Sequence, residues 1–213
     1  MFKGTSASAG IGIGKAVIVE EAELVITRNE VADAEAEIQR FKGALEKTIA
    51  ATQKMADDLA SRVGEKEAEI MQGHMMLLSD PMLTGEIENS VKNDKVNCEF
   101  AIENVCNMYA DMFASMGDEL MQQRATDMRD IKVRMQRTLM GLESVDVSLL
   151  PKGSILVAKD LTPSMTAGIN PENVSGIVTE LGGKTSHSAI LARALEIPAV
   201  VAVNGLMDAV KDG

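Results

Sequence analysis

The sequence predicts a mixed fold, α/β plus all-α, in which a β/α domain is interrupted by an inserted helical bundle. Short β-branched apolar runs lie near the start of the chain and again after Gly141, whereas between them apolar residues recur at spacings of three and four. The 213 residues, of which 46% are hydrophobic, suffice for two small domains. We therefore expect residues 1–22 and 144–213 to form the β/α domain and residues 30–143 the helical one.

The N-terminal half begins with a strand and continues as helices. Residues 10–19 combine glycines with β-branched residues and lack a helical stripe, which predicts a strand entered through a loop. Amphipathic helices are predicted over about residues 31–62 and residues 65–78. Asp80 and Pro81 then suit the N-cap and the first position of a new helix. Two further apolar stripes predict helices over residues 102–116 and 120–139.

The pattern changes again beyond Gly141. Short apolar runs bounded by glycine or proline are typical of buried strands, and they cover residues 155–158, 176–179 and 199–203. Helix starts are predicted at Thr162, which precedes a proline, and at Ser186. Strands on both sides of the helical segment suggest that the two ends of the chain form one discontinuous α/β domain.

The composition excludes several classes of function. A net charge of −11 and a sequence pI of about 4.7 disfavour nucleic acid, and four Phe, one Tyr and no Trp leave little to stack on bases. Cys98 and Cys106 would lie about 12 Å apart on one helix, too far for a disulfide, and the Cys and His spacing does not fit a zinc site. Free thiols, with no bilayer-length apolar run and no signal-type N-terminus, lead us to expect a cytoplasmic protein that does not bind membranes.

Residues 182–193 carry the clearest chemistry in the chain. Two glycines permit a tight turn, and His187 then falls at or near a helix N-terminus, where N–H groups and the helix dipole favour an anion. A histidine with an ordinary pKa of about 6.5 is largely unprotonated at neutral pH, so that one ring nitrogen could attack phosphorus. The simpler alternative is that His187 only caps a helix. Hydroxyl groups that would complete an anion site belong to Thr185, Ser186 and Ser188.

This twelve-residue segment resembles the phosphohistidine signature of the phosphoenolpyruvate-utilising enzymes. That family includes Enzyme I of the sugar phosphotransferase system, pyruvate phosphate dikinase and phosphoenolpyruvate synthase. Further stretches that look like Enzyme I are residues 7–16, 73–80, 124–131 and 160–167. The resemblance covers nearly the whole chain and implies a swivelling β/α phosphohistidine domain with a helical insertion that binds the small carrier protein HPr.

The resemblance also implies roles for single residues. His187 would be the phosphoryl acceptor, and Thr166 would orient its imidazole; without the resemblance, Thr166 would be read as a hydroxyl bonded to helix backbone. Arg193 lies six residues after His187 and off its helical face, so it either reaches the phosphate or forms a structural salt bridge. No metal ligand is expected in this set. Phosphate-positioning groups would come from Gly183, Thr185, Ser186, Ser188 and Arg193.

A partner surface is expected near His74. Too many apolar residues follow one another there for one helix face to bury them all, and methionine suits adaptable binding surfaces. Pro81 and Met82 stand where some relatives have acidic residues. By resemblance, the HPr-binding patch comprises Met76, Leu77, Leu83, Met121 and Arg124.

The resemblance therefore implies a phosphoryl carrier of the Enzyme I type, in which His187 passes its phosphoryl group to a histidine of HPr. Phosphoenolpyruvate and magnesium would act through a C-terminal barrel outside this sequence. Further strands of the β/α domain are expected after residue 213, and the full-length enzyme would be a homodimer. No cofactor is expected within the 213 residues. Two alternatives remain: the phosphohistidine swivel domain of a dikinase or synthase, and a non-catalytic acidic helical adaptor.

Overall fold

The fold is mixed and mostly helical, with one small sheet. The computed structural model describes residues 2–213, and these divide into two compact units. The α/β unit comprises residues 2–22, Asp58–Ala68 and Val145–Gly213, and it contains all the strands of the sheet. The helical unit comprises Glu23–Asp57 and Glu69–Ser144.

The α/β unit is built on a five-stranded sheet with the strand order β1-β5-β4-β3-β2. Strands β2 to β5 pair in parallel, and β1 runs antiparallel to β5 at one edge. The three strands predicted after Gly141 are confirmed as β3, β4 and β5. Their sequences are continuous apolar runs because parallel strands are buried on both faces. Strand β1 consists of three hydroxyl residues and one alanine, so it has no apolar pattern from which a strand could be predicted. The strands are β1 (Thr5–Ser8), β2 (Lys15–Ile18), β3 (Ser154–Ala158), β4 (Val174–Thr179) and β5 (Ala199–Val201).

The predicted N-terminal strand is confirmed: β2 occupies the end of residues 10–19 and is entered through the glycine-rich segment. The glycine-rich segment before it lies directly against the backbone of the sheet. A Cβ added at Gly12 would overlap the carbonyl oxygen of Ser175, and one added at Gly14 would overlap that of Gly153. The glycines are therefore needed for close backbone approach, and not to form a strand.

Five helices account for the central part of the chain, close to where the apolar spacing predicted them. Asp80 caps α3 as expected, since its carboxylate accepts a hydrogen bond from the N–H of Met82 at 2.8 Å. Apolar side chains from α1, α2, α3, α4 and α5 share one buried core in the helical unit. The helices are α1 (Ala34–Val63), α2 (Glu65–Leu78), α3 (Pro81–Asp94), α4 (Cys98–Ser115) and α5 (Glu119–Met140).

The observed division of the chain differs from the predicted one at Asp58–Ala68, which groups with the α/β unit. Within this segment, Arg62 donates hydrogen bonds to the carbonyl oxygens of Ile169, at 2.6 Å, and of Ala167. An amphipathic pattern identifies the face of a helix that is buried, but not the unit that buries it. The sequence therefore predicted one unbroken helical domain over residues 30–143.

The α/β unit has three short helices, α6 (Pro163–Gly168), α7 (His187–Ala194) and α8 (Leu206–Ala209). Thr162 and Ser186 cap α6 and α7, which confirms both predicted helix starts. Helix α6 follows β3 and α7 follows β4. Because β3 and β4 are parallel neighbours, the two helices begin at the same edge of the sheet, and they pack against each other. Among residues 2–213, no helix has both the length and the apolar character needed to cross a bilayer.

Candidate functional site

His187 is the first residue of α7 and is half-buried. The loop before it, residues 182–186, is the His187 loop. Ser186 has extended backbone with ψ 154°, and its Oγ accepts a hydrogen bond from the N–H of Ala189 at 3.2 Å. The first turn of a helix leaves N–H groups without an intrahelical acceptor and carries the positive end of the dipole. The imidazole therefore lies where an anionic group is stabilised.

Two serine hydroxyls stabilise this helix start from inside. The Oγ of Ser186 donates to the carbonyl oxygen of Gly183 at 2.8 Å and lies 2.9 Å from the Oγ of Ser188. The backbone N–H of Ser186 donates to the same carbonyl at 3.1 Å. Ser188 is only 2% exposed. Both hydroxyls are thus part of the internal hydrogen bonding of the loop, whereas Thr185 is exposed.

Gly182 begins the loop with φ +96°, in the region that favours glycine. A Cβ there would stand 3.7 Å from Thr179 Oγ1 and 3.8 Å from Asp160 Oδ1. Asp160 retains an exposed edge, but its carboxyl lies at the crowded end of β3, and this desolvation raises its pKa. The N–H of Leu161, which donates to the carboxylate at 2.8 Å, opposes the shift. An acidic group therefore borders the start of the loop.

Arg193 lies in the last turn of α7, and its guanidinium contacts two backbone carbonyls. Its Nη1 donates to the carbonyl oxygen of Lys184 in the loop and to that of Ala7 in β1, each at 3.0 Å. Neither acceptor is a carboxylate, so these contacts are not the salt bridge considered above. One side chain thus connects the His187 loop, α7 and the edge strand.

Thr166 lies on α6, which packs against α7. It is buried, and its Oγ1 donates to the carbonyl oxygen of Thr162 at 2.7 Å. A hydroxyl has one hydrogen to donate and two lone pairs that accept. Since the hydrogen of Thr166 is used within α6, its hydroxyl can still serve a neighbouring group only as an acceptor.

The C-terminal end of α6 is held by Arg62, through the two carbonyl contacts already described. A cation at this end of a helix is favoured by the dipole and satisfies carbonyls that have no intrahelical donor. Arg62 is 107 residues from Ile169 in sequence, and no motif spacing predicted the contact. It therefore supports the helix that carries Thr166.

The residues of the predicted HPr-binding patch differ in exposure. Met76 is 74% exposed, and Leu77, Met121 and Arg124 are partly exposed, whereas Leu83 is 2% exposed and belongs to the helical core. The periodicity of α3 places Leu83 on its inward face, which leaves it little surface for a partner. The exposed side chain next to it is that of Met82.

A buried polar cluster joins α2 to α5 in the helical unit. His74 Nε2 lies 3.2 Å from Asp127 Oδ1, and its Nδ1 lies 3.6 Å from Asp130 Oδ2. The other oxygen of Asp127 lies 3.6 Å from Arg124 Nη1. Burial lowers the pKa of Arg134, and the negative charge of the Asp130 carboxylate opposes part of that shift. Across residues 2–213, no three His, Cys, Asp or Glu side chains are arranged to hold a metal ion.

Comparison with known families identifies the chain. The sequence profile of the family described as PEP-utilising enzyme, N-terminal, matches residues 3–124, and that of the PEP-utilising enzyme mobile domain matches residues 150–213. The chain belongs to the PEP-utilising enzymes. The resemblance inferred from the motifs is therefore confirmed, and His187 falls within the part of the chain that matches the mobile domain of this family.

Relatives within the PEP-utilising enzymes share the whole length of the chain. The phosphoenolpyruvate-protein phosphotransferase of Bacillus subtilis is 41% identical over 212 residues, and that of Listeria monocytogenes is 44% identical over 200 residues. These alignments cover 100% and 94% of this chain but 37% and 35% of the relatives. The chain thus spans little more than a third of the length of these curated relatives. A solution NMR structure of Enzyme I is similar, with 40% identity and a TM-score of 0.84 over 100% of this chain and 87% of that one.

Proposed function

We propose that this chain is the phosphoryl-carrying N-terminal part of a phosphoenolpyruvate-protein phosphotransferase. In this proposal, His187 accepts a phosphoryl group and passes it to a histidine of HPr in the sugar phosphotransferase system. The observation that carries the proposal is the position of His187 at the start of α7, within the segment that matches the mobile domain of PEP-utilising enzymes. The names of the relatives support the same activity.

The reaction requires one imidazole nitrogen with a free lone pair. In exchange with phospho-HPr, that lone pair forms the new P–N bond while the P–N bond to the histidine of HPr breaks and leaves its electron pair on the HPr nitrogen. No metal is involved in this exchange as we propose it. Thr166 can act only as an acceptor towards a neighbour, because its own hydrogen is donated to Thr162. We propose that it accepts the N–H of His187 and so keeps the other ring nitrogen unprotonated.

Catalysis in such a transfer consists mainly of positioning and of stabilising charge on the phosphoryl oxygens. The first turn of α7 provides N–H groups and the positive end of a helix dipole for this purpose. The exposed hydroxyl of Thr185 can contribute a further donor. Of the remaining predicted groups, Ser186, Ser188 and Arg193 already bond to the protein itself, and the carbonyl oxygen of Gly183 accepts from Ser186.

For the partner, we propose that HPr binds the helical unit at Met76, Leu77, Met121 and Arg124. Support comes from the exposure of Met76 and from the acidic character of the chain, whose net charge of −11 favours a partner with a basic surface. Leu83 would act from beneath, by packing under the surface.

For the full-length enzyme, we propose that phosphoenolpyruvate and magnesium act outside these 213 residues and that the α/β unit swivels between its donor and HPr. The family name of the matching profile, mobile domain, supports the second point. In an assay, a polypeptide of these 213 residues would then exchange phosphate with phospho-HPr. Phosphoenolpyruvate and magnesium alone would not label it.

The test is to incubate the purified chain with phospho-HPr that carries a radioactive phosphoryl group. We expect acid-labile label on the wild type and none on His187→Ala, whose fold is checked by circular dichroism. Binding of HPr without transfer would support an adaptor instead. Equal label on both proteins, or label from phosphoenolpyruvate and magnesium alone, would contradict the corresponding part of the proposal.

A further inference from the structure

The side chain of Arg193 contacts backbone, and this suggests how it acts. We propose that Arg193 is a positioning residue of the His187 loop, which it holds through the carbonyl group of Lys184, and that it does not act on the phosphoryl group directly. The inference rests on the proposed function of His187. It assigns the residue whose role the sequence left open between a phosphate contact and a salt bridge.

Arg193 fixes the direction of the Lys184–Thr185 peptide. The carbonyl oxygen of Lys184 accepts from Arg193 Nη1, and the same nitrogen donates to Ala7 in β1. Both hydrogens of Nη1 are therefore used. The chain has no cis peptide among its described residues, so the N–H of Thr185 points away from Arg193. By fixing the carbonyl, Arg193 fixes the direction of a donor on the opposite side of the peptide.

The hydroxyl of Ser186 is fully used within the loop. It donates its only hydrogen to Gly183, so in the contact with Ser188 the donor must be Ser188. Its second lone pair accepts from the N–H of Ala189. Ser186 thus has no hydrogen-bonding capacity left for a phosphoryl group. Ser188 is buried and acts through Ser186.

These contacts fix the peptide before Lys184 in the same way. The carbonyl of Gly183 accepts from both the N–H and the hydroxyl of Ser186, so that the N–H of Lys184 points away from them. Within the described chain, the N–H groups of Lys184 and Thr185 donate to no protein acceptor. The loop therefore presents two donors of fixed direction beside the start of α7, and Arg193 and Ser186 hold them from behind.

The test combines nitrogen-15 relaxation of the unphosphorylated chain with the rate of transfer from phospho-HPr. In Arg193→Ala, we expect the order parameters of the Lys184 and Thr185 amides to fall from about 0.85 to below about 0.6. Transfer to His187 should slow about tenfold to a hundredfold, as expected for lost positioning. Arg193→Lys keeps three N–H donors and should restore most of both quantities.

A charge-matched control is Lys152→Ala, which also removes one positive charge from an exposed side chain of the α/β unit. It should leave both the loop and the transfer rate as in the wild type. Slow transfer by Arg193→Ala with an unchanged, ordered loop would overturn the proposal, because it would indicate direct contact with the phosphoryl group. A loop that loosens in Arg193→Ala while wild-type His187 takes no label would support the positioning role and refute only the proposed function.

Discussion

The imidazole Nε2 of His74 lies 3.2 Å from Asp127 Oδ1, and neither side chain reaches solvent to any large extent. This contact joins α2, which carries Met76, to α5, which carries Arg124. Arg124 in turn lies close to Gly73, where an added Cβ would stand 2.6 Å from its Nη1. A buried polar contact thus fixes the two helices that present the proposed HPr surface.

Removing one partner of this contact should destabilise the chain strongly. Asp127→Ala removes the partner of His74 Nε2 and leaves that nitrogen buried, and we expect the free energy of unfolding to fall by about 3 kcal/mol. Asp127→Asn keeps an oxygen at nearly the same position and should cost less than half as much. Urea denaturation followed by circular dichroism measures both. Equal losses in the two variants would show that the contact with His74 is not the source of the stability.

Substitutions of Met76 and Leu83 should affect different properties, the affinity for HPr in the first case and the stability of the fold in the second. Met76→Ala truncates an exposed side chain, so we expect the affinity for HPr to fall about tenfold while the free energy of unfolding changes by less than about 0.5 kcal/mol. Leu83→Ala empties a core position and should cost about 2–5 kcal/mol of stability. Isothermal titration calorimetry and denaturation provide the two readouts. Weaker HPr binding by a fully stable Leu83→Ala protein would contradict its placement in the core.

Glycines at two positions should respond oppositely to the same substitution. Gly14→Ala forces a Cβ against the carbonyl of Gly153, and we expect a loss of about 1–3 kcal/mol in stability. Gly43 lies within α1 with open space around it, so Gly43→Ala should stabilise the chain by up to about 1 kcal/mol. Thermal denaturation of the pair checks the prediction. A neutral Gly14→Ala would mean that the glycine-rich segment can move away from the sheet.

Thr166 offers a test of how the imidazole of His187 is oriented. Thr166→Val keeps the shape of the side chain but removes the acceptor oxygen, and we expect phosphoryl transfer to slow at least about tenfold. Thr166→Ser retains the hydroxyl and should transfer at a rate near that of the wild type. Rapid-quench measurement with labelled phospho-HPr distinguishes the two variants. Fast transfer by Thr166→Val would assign the hydroxyl to helix bonding alone.

The two cysteines should be unreactive in the folded chain. Burial raises the pKa of the Cys98 thiol and that of the Cys106 thiol from 9.0 to about 12. Both thiols therefore stay protonated in the folded state at pH values where unfolded thiols ionise. Their contribution to stability is complete below about pH 9 and is lost as the pH rises towards 12. At pH 8.5, about half a unit below the ordinary thiol pKa of 9.0, a chromogenic disulfide reagent should label both thiols only after denaturant is added.

Rapid labelling of the native protein at that pH would mean that the helical unit opens locally. Cys98→Ala and Cys106→Ala, tested singly, identify the thiol concerned.

Local signals made part of this molecule predictable. The start of α7 follows from the Ser186 cap and from the glycines before it, because capping depends on neighbouring residues alone. The role of Arg193 did not follow, since one of its acceptors, Ala7, is 186 residues away. The resemblance places Leu83 on a binding surface, yet packing decides which of two adjacent apolar residues, Met82 or Leu83, faces the core. Sequence therefore indicated the chemistry, but tertiary contacts determine what each side chain does.

The pairing of the chain ends in the α/β sheet has a consequence for folding. Strand β2 pairs with β3, although the whole helical unit separates the two strands in sequence. The carboxylate of Asp212 accepts a hydrogen bond from the N–H of Ile18, which is 194 residues away in sequence. Closing such long loops costs entropy and slows folding, whereas the contacts of the helical unit are more local. During synthesis, we expect the helical unit to fold first, while β1 and β2 stay unpaired until the strands that they pair with have been made. Strand β2 can pair once β3 is made, but β1 pairs with β5 and remains exposed to chaperones and proteases until synthesis has passed residue 201.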